Sequence, residues 1–114
     1  MNLMMYVYKR NFDVQKAERF FKERKVKCQI VDMKKNPPGR RELELFERKV
    51  GLNQLIDQQN KAYLEHPIRF MATQGCKLDA LVDNPQLLAV PIVRDGQNVT
   101  VGYQPDVWSE WLKG

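Results

Sequence analysis

Residues 4–14 read MMYVYKRNFDV. The first five are apolar or aromatic and predict a short strand, and the polar triplet KRN that follows predicts a turn. From Val14 onward, apolar residues recur at helical spacing at Ala17, Phe20 and Phe21, so a helix follows the turn. Residues 28–33, CQIVDM, predict a second strand that is largely buried. Strand, helix and strand within about 30 residues make a βαβ unit with parallel strands and a right-handed crossover.

The middle of the chain predicts helices. Residues 34–39, KKNPPG, form a loop because paired prolines resist regular structure. A helix with apolar positions at Leu43, Phe46 and Val50 follows the loop and ends at Gly51. Residues 52–84 show no strand alternation, which predicts short helices at 53–59, around 68–73 and at 78–82.

The last third returns to strand character. Residues 87–94 and 99–103 predict a β-hairpin that turns at Asp95-Gly96, and residues 104–112 predict a final helix. We therefore expect an α/β fold with a mixed sheet. It forms a single domain of residues 1–114 that carries a helical insert at about residues 40–88.

Composition narrows the class of protein. Of the 114 residues, 43% are hydrophobic, which is enough for one core without disulfides or a metal. Cys28 and Cys76 form no C-x-x-C pair, and His66 has no partner at ligand spacing, so we expect a reducing compartment and no metal site. The apolar N-terminus is too short for a membrane span and lacks the layout of a signal peptide. These features predict a cytoplasmic protein without membrane contact.

Positive charge is concentrated in the first half of the chain. Residues 1–50 hold 14 Lys plus Arg against 7 Asp plus Glu, whereas residues 51–114 hold 5 against 7. This asymmetry can steer a small anion or an acidic protein surface, although cations interleaved with glutamates are also typical of a solvated helix. Nucleic-acid binding is not expected, because Tyr103, Trp108 and Trp111 fit packing better than base stacking.

The order of elements is thioredoxin-like, and several segments resemble the arsenate reductase and Spx family across essentially the whole chain. The segments that carry the resemblance are residues 6–9 (YVYK), 14–21 (VQKAERFF), 37–43 (PPGRREL), 83–93 (DNPQLLAVPIV) and 101–103 (VGY). The resemblance implies a thioredoxin fold, a thiol active site at the start of the first helix, and a cis peptide bond before Pro91.

The expected nucleophile is missing. Family reductases carry a cysteine where this chain has Asn11, and an asparagine caps a helix well but attacks nothing. The glutaredoxin-linked reductases add a histidine and an arginine where this chain has Val7 and Gln15. Spx-like members carry a second cysteine where this chain has Val14.

The arginines that the resemblance implies for oxyanion binding are missing as well. One belongs in the loop occupied here by residues 57–60, DQQN, and another directly before the cis proline, where this chain has Val90. Arsenate is an anion that must be held by cations or N–H donors while a thiolate attacks it. With Asn11, Gln59 and Val90 in these places, we expect no catalytic residue.

The sequence therefore predicts a family member that has lost thiol redox catalysis and acts as a binding or regulatory module. We expect the remnant cleft to be formed by Lys9, Arg10, Asn11, Gln59 and Pro91, and to contact a protein partner or a small anion. The basic face of the first helix is the other surface expected to make such a contact. Resemblance to Spx implies the RNA polymerase alpha subunit as one partner.

The alternative is a reductase that uses a non-standard thiol. Cys76, next to Lys77, or a glutathione bound in the cleft would supply that thiol, and glutathione would then be the one cofactor. Cys28 is expected to be a small buried hydrophobe.

Overall fold

The computed structural model describes residues 3–9 and 11–113, and within them the chain alternates strands and helices much as the sequence predicts. The strands are β1 (Leu3–Val7), β2 (Cys28–Asp32), β3 (Ile92–Asp95) and β4 (Asn98–Val101). The helices are α1 (Phe12–Glu23), α2 (Arg40–Val50), α3 (Leu52–Leu55), α4 (Lys61–Glu65), α5 (Gln74–Asp83) and α6 (Pro105–Lys113), with 3₁₀ turns at Pro67–Phe70 and Pro85–Leu87.

The described strands form one mixed sheet in the order β2-β1-β3-β4. β1 and β2 run parallel and are joined by α1, which confirms the βαβ unit. β3 runs antiparallel to β1 and forms a hairpin with β4. The expected α/β class with a mixed sheet is therefore confirmed.

The two faces of the sheet are covered by different helices. Because side chains alternate along a strand, Met5 points into a core with α1 and α6, whereas Tyr6 points into a core with α2 and the insert. Trp108 is fully buried in the first core and donates from its indole Nε1 to Thr100 Oγ1 at 2.8 Å. The larger core includes Leu43, Phe46, Leu55 and Leu81, so the insert is packed onto the domain.

The prediction that the second strand is largely buried is wrong. β2 is an edge strand that pairs only with β1, and its Ile30 side chain is 48% exposed. An apolar run of five residues does not distinguish a central strand from an edge strand, because pairing on the second side is decided by distant parts of the chain.

Several predicted boundaries also move. β3 begins only at Ile92, because residues 85–91 form a 3₁₀ turn and an extended link. The hairpin turns at Gly96-Gln97 rather than Asp95-Gly96: Asp95 still pairs with Asn98, and Gly96 takes the positive φ of 61° that glycine tolerates. In the insert, the predicted helix 53–59 is the short α3, the segment near 68–73 is a 3₁₀ turn, and 78–82 lies within the longer α5.

Candidate functional site

The candidate site begins at Asn11, which lies between β1 and α1. Asn11 has extended backbone angles (φ −132°, ψ 178°), and its Oδ1 accepts a hydrogen bond from the backbone N–H of Val14 at 2.7 Å. This geometry is that of a helix N-cap, in which a side-chain oxygen satisfies an N–H that the helix leaves unpaired. The Asn11 side chain, which stands where a cysteine was expected, therefore occupies the Val14 N–H, a donor that could otherwise bind an anion.

The same side chain also bonds to the segment that leads into β3. Asn11 Nδ2 donates to the backbone oxygen of Val90 at 3.2 Å, and the peptide bond between Val90 and Pro91 is cis, as the resemblance implied. Val90 and Pro91 are buried, and the Pro91 oxygen accepts from Gly102 N at 2.9 Å. One amide thus joins the start of α1 to the wall that a thiolate would face.

The remaining predicted cleft residues are distributed around this amide. Lys9 is exposed in the bend after β1, and Arg10 lies outside the described residues. Gln59 is exposed in the loop after α3, where its backbone N–H donates to Asp57 Oδ1 at 3.2 Å. Within the described part of the chain, no hydrogen bond joins Gln59 to Asn11.

The loop that carries Gln59 is nevertheless held beside the strand entry. Asp57 N donates to Leu87 O at 3.0 Å, and Ala89 N donates to Leu55 O at 2.8 Å. Asn60 Nδ2 adds a bond to Gln86 O at 2.9 Å. These bonds attach the loop to the segment that leads into Val90.

Phe12 is an exposed aromatic residue next to the site, and the sequence analysis did not single it out. It directly follows Asn11, and its side chain is 80% exposed. The available signal was its position: Phe12 lies outside the stripe formed by Val14, Ala17, Phe20 and Phe21, all of which are buried. Lys9 and Phe12, which flank Asn11 along the chain, are therefore both exposed to solvent.

The two cysteines lie in very different surroundings. Cys28 is half-buried in β2 against the core that contains Met5 and Phe21, and burial raises the pKa of its thiol to about 11. Cys76 is exposed in the first turn of α5, where its backbone N–H donates to Thr73 Oγ1 at 3.1 Å. Cys28 is thus a packing residue, while Cys76 is the accessible thiol of the described chain.

A half-buried polar cluster lies on the α2 side of the sheet. The hydroxyl of the buried Tyr6 donates to Glu42 Oε2 at 2.5 Å, and Arg94 Nη1 lies 4.0 Å from the same oxygen. Burial, with the Glu42 carboxylate as a second cause, raises the pKa of Tyr6 to about 12. Glu42 Oε1 also accepts from Gly39 N at 3.3 Å at the start of α2, so this cluster is internally satisfied and structural.

Across residues 3–9 and 11–113, no three His, Cys, Asp or Glu side chains are grouped so that they could hold a metal ion. In the same residues, no helix is long and apolar enough to cross a membrane.

Comparison with known proteins finds a family model and a relative that each match nearly the whole chain. The sequence model described as the ArsC family matches residues 6–111. The uncharacterised protein YusI of Bacillus subtilis (strain 168) is 24% identical over 115 residues, covering 96% of this chain and 98% of YusI.

Solved structures share the fold. The YFFB protein superposes with a TM-score of 0.86 at 17% identity, covering 96% of this chain and 97% of that structure. An arsenate reductase from Vibrio cholerae gives 0.83 at 16% identity, with the same coverage of 96% and 97%. At such identities the likeness is one of fold, and it agrees with the thioredoxin-like layout.

Proposed function

The chain belongs to the ArsC family, and we propose that it is a member without thiol redox catalysis that acts as a binding or regulatory module. The observation that carries this proposal is the double hydrogen bonding of Asn11, to Val14 N and to Val90 O. An amide in this position caps a helix and spans the cleft, but it has no lone pair of thiolate strength to attack a substrate.

The anion-binding side of the chemistry is missing in the same way. Val90 presents a buried apolar side chain before the cis proline, and Gln59 presents a neutral amide to solvent. The Val14 N–H, which could have faced an oxyanion, is already taken by Asn11 Oδ1. Charge neutralisation of arsenate therefore has little support at this site.

The surface that remains suits contact rather than turnover. Lys9 and Phe12 are exposed on either side of Asn11, and Gln59 and Pro91 belong to the neighbouring walls. Exposed aromatic side chains are enriched in protein contacts, and an exposed ammonium group can bind a small carboxylate. We assign the contact of a protein partner or a small anion to this remnant cleft; the RNA polymerase alpha subunit is a candidate by resemblance to Spx alone.

One observation favours a second function. Cys76 is exposed in the first turn of the ten-residue helix α5, so a thiol is available to solvent at a helix N-terminus. The alternative is a thiol-dependent arsenate or disulfide reductase that uses Cys76, or glutathione bound at the remnant cleft.

A turnover assay separates the two functions. Arsenate and disulfide reduction are measured with glutathione, glutaredoxin or thioredoxin as electron donor, for the natural protein and for Cys76→Ser. We expect no turnover above buffer with any donor. Turnover that disappears in Cys76→Ser would establish the reductase and overturn the module.

Binding at the cleft is tested by NMR titration of the labelled protein with inorganic phosphate and with glutathione. We expect saturable shifts at Lys9, Asn11 and Phe12 that weaken in Lys9→Gln and persist in Lys49→Gln. Lys49 is the matched control because it is an exposed lysine in the last turn of α2. Shifts confined to other elements would remove the small anion from the proposal.

A further inference from the structure

The outer edge of β2 is open. β2 pairs with β1 on one side, and in the described chain no backbone hydrogen bond reaches residues 28–31 from the other side. Gln29 and Ile30 are exposed at the middle of this edge. Unpaired N–H and C=O groups along an edge strand are a template for one further strand.

A groove lies on each face of the sheet beside this edge, and Ile30 lines both. The groove on the α1 side has a volume of about 490 Å³, and its mainly apolar lining also includes Glu18 and Lys22. The groove on the α2 side has a volume of about 390 Å³ and a mixed lining, in which Val31 and Pro37 lie with polar residues that include Glu42. Side chains of an added strand alternate between the two faces, so successive residues would enter the two grooves in turn.

Two lysines lie at each end of the β2 edge. Lys25 and Lys27 precede β2, and Lys34 and Lys35 follow it. All four are exposed, and none makes an ion pair within 4.0 Å with a described residue. Residues 25–35 hold these four lysines against one acid, Asp32, so the potential along the edge favours negative charge at both ends of an incoming segment.

The same lysines oppose pairing of β2 with a second copy of this chain. A two-fold symmetric contact runs antiparallel, and centred on Ile30 it would place Lys25 opposite Lys35 twice. Like charges directly opposite each other across strands are destabilising, and edge lysines are a known means of preventing self-association. The occupant that fits is thus a different and acidic chain.

We propose that the outer edge of β2 binds an extended acidic segment of a partner protein by strand addition. The segment carries acidic residues at both ends and apolar or β-branched residues between them, which fill the two grooves beside Ile30. This surface is separate from the Asn11 cleft, so the proposal stands or falls independently of the function proposed above.

The test uses the full-length labelled protein and the capped peptide EEVTVTVEE, with KKVTVTVKK as its charge-reversed control. We expect the acidic peptide to shift amide signals of residues 26–35 and to slow hydrogen exchange at residues 29–31. The Lys27→Gln/Lys34→Gln variant should bind about fivefold more weakly because two exposed charge contacts are lost. The matched variant Lys49→Gln/Lys61→Gln removes the same charge elsewhere and should bind as the natural protein does.

Backbone pairing is tested by N-methylation of the acidic peptide. A strand presents alternate N–H groups to its partner, so methylation at the valines or at the threonines should abolish binding in one case and spare it in the other. Equal binding of both methylated peptides, or equal binding of the lysine peptide, would overturn the proposal. So would a concentration-dependent dimer, detected by sedimentation, that protects residues 28–32.

Discussion

The N-termini of α1 and α5 are built alike and differ in what surrounds them. In α1, Asn11 Oδ1 accepts from the N–H three residues on, and in α5 Thr73 Oγ1 does the same for Cys76. Asn11 is half-buried and bonded to the backbone oxygen of Val90, whereas Thr73 is exposed. The thiol is at the exposed helix start, and the family's site position holds only an amide.

This difference shows that capping and catalysis make separate demands on a helix start. A cap needs one acceptor at the right backbone angles, which Asn11 and Thr73 both supply. A thiol enzyme needs in addition a nucleophile opposite a second wall that can hold the substrate. In this chain Asn11 is bonded to Val90, next to the cis proline, and an asparagine side chain is not a nucleophile.

The largest effect is expected from Asn11→Ala. The substitution removes both the cap and the bond to Val90 O, so we expect a loss of about 2–3 kcal/mol in the free energy of unfolding. Asn11→Asp keeps a capping oxygen but no amide donor, and should lose about 1 kcal/mol. Urea unfolding of the natural protein and the two variants measures both losses. Equal stability of Asn11→Ala and the natural protein would show that the amide does not stabilise the contact between α1 and Val90.

The next largest effect is a difference in alkylation rate between the two cysteine thiols. Because burial raises the pKa of Cys28 to about 11, its thiolate is scarce at pH 8, while Cys76 is exposed. We expect iodoacetamide to modify Cys76 about 30-fold faster than Cys28, as followed by mass spectrometry. The fast phase should disappear in Cys76→Ser and persist in Cys28→Ala, and a single common rate would contradict the two environments.

A smaller effect is expected from Thr73→Ala. The α5 cap lacks a second bond across a cleft, so its removal should cost about 1 kcal/mol, clearly less than Asn11→Ala. Thr73→Ser keeps the hydroxyl and serves as the control. If Thr73→Ala were as damaging as Asn11→Ala, the contrast between the two helix starts would be lost.

The smallest effect is a decrease in the free energy of unfolding at alkaline pH. Neither capping side chain ionises, whereas Cys28 and Tyr6 have pKa values raised to about 11 and about 12. In the unfolded chain these two side chains lose their protons at lower pH than in the folded protein. The free energy of unfolding is therefore at its full value below about pH 9 and falls as the pH rises above that. The Cys28→Ala variant should show a shallower decline between pH 9 and 10 in thermal unfolding; an unchanged slope would exclude Cys28 as its source.

Much of the architecture could be predicted from residue types at short spacing, whereas the remainder depends on pairing between distant parts of the chain. The cap at Asn11 and the hairpin near Gly96 follow from residue types at short spacing. The bond from Asn11 to Val90 joins residues 79 positions apart, and no local signal encodes it. The burial predicted for Ile30 is wrong for the same reason. Its apolar side chain indicated burial, but burial depends on whether another strand covers β2.

The central claim is that the chain retains the scaffold of a thiol site and has lost its chemistry. It is tested most directly by the thiol pKa of Asn11→Cys in a background of Cys28→Ala and Cys76→Ser, measured from thiolate absorbance against pH. A retained helix start should lower that pKa by at least about one unit below the free value of about 8.5. A pKa at or above about 8.5 would contradict the account, because the electrostatics of the site would then have been lost together with its nucleophile.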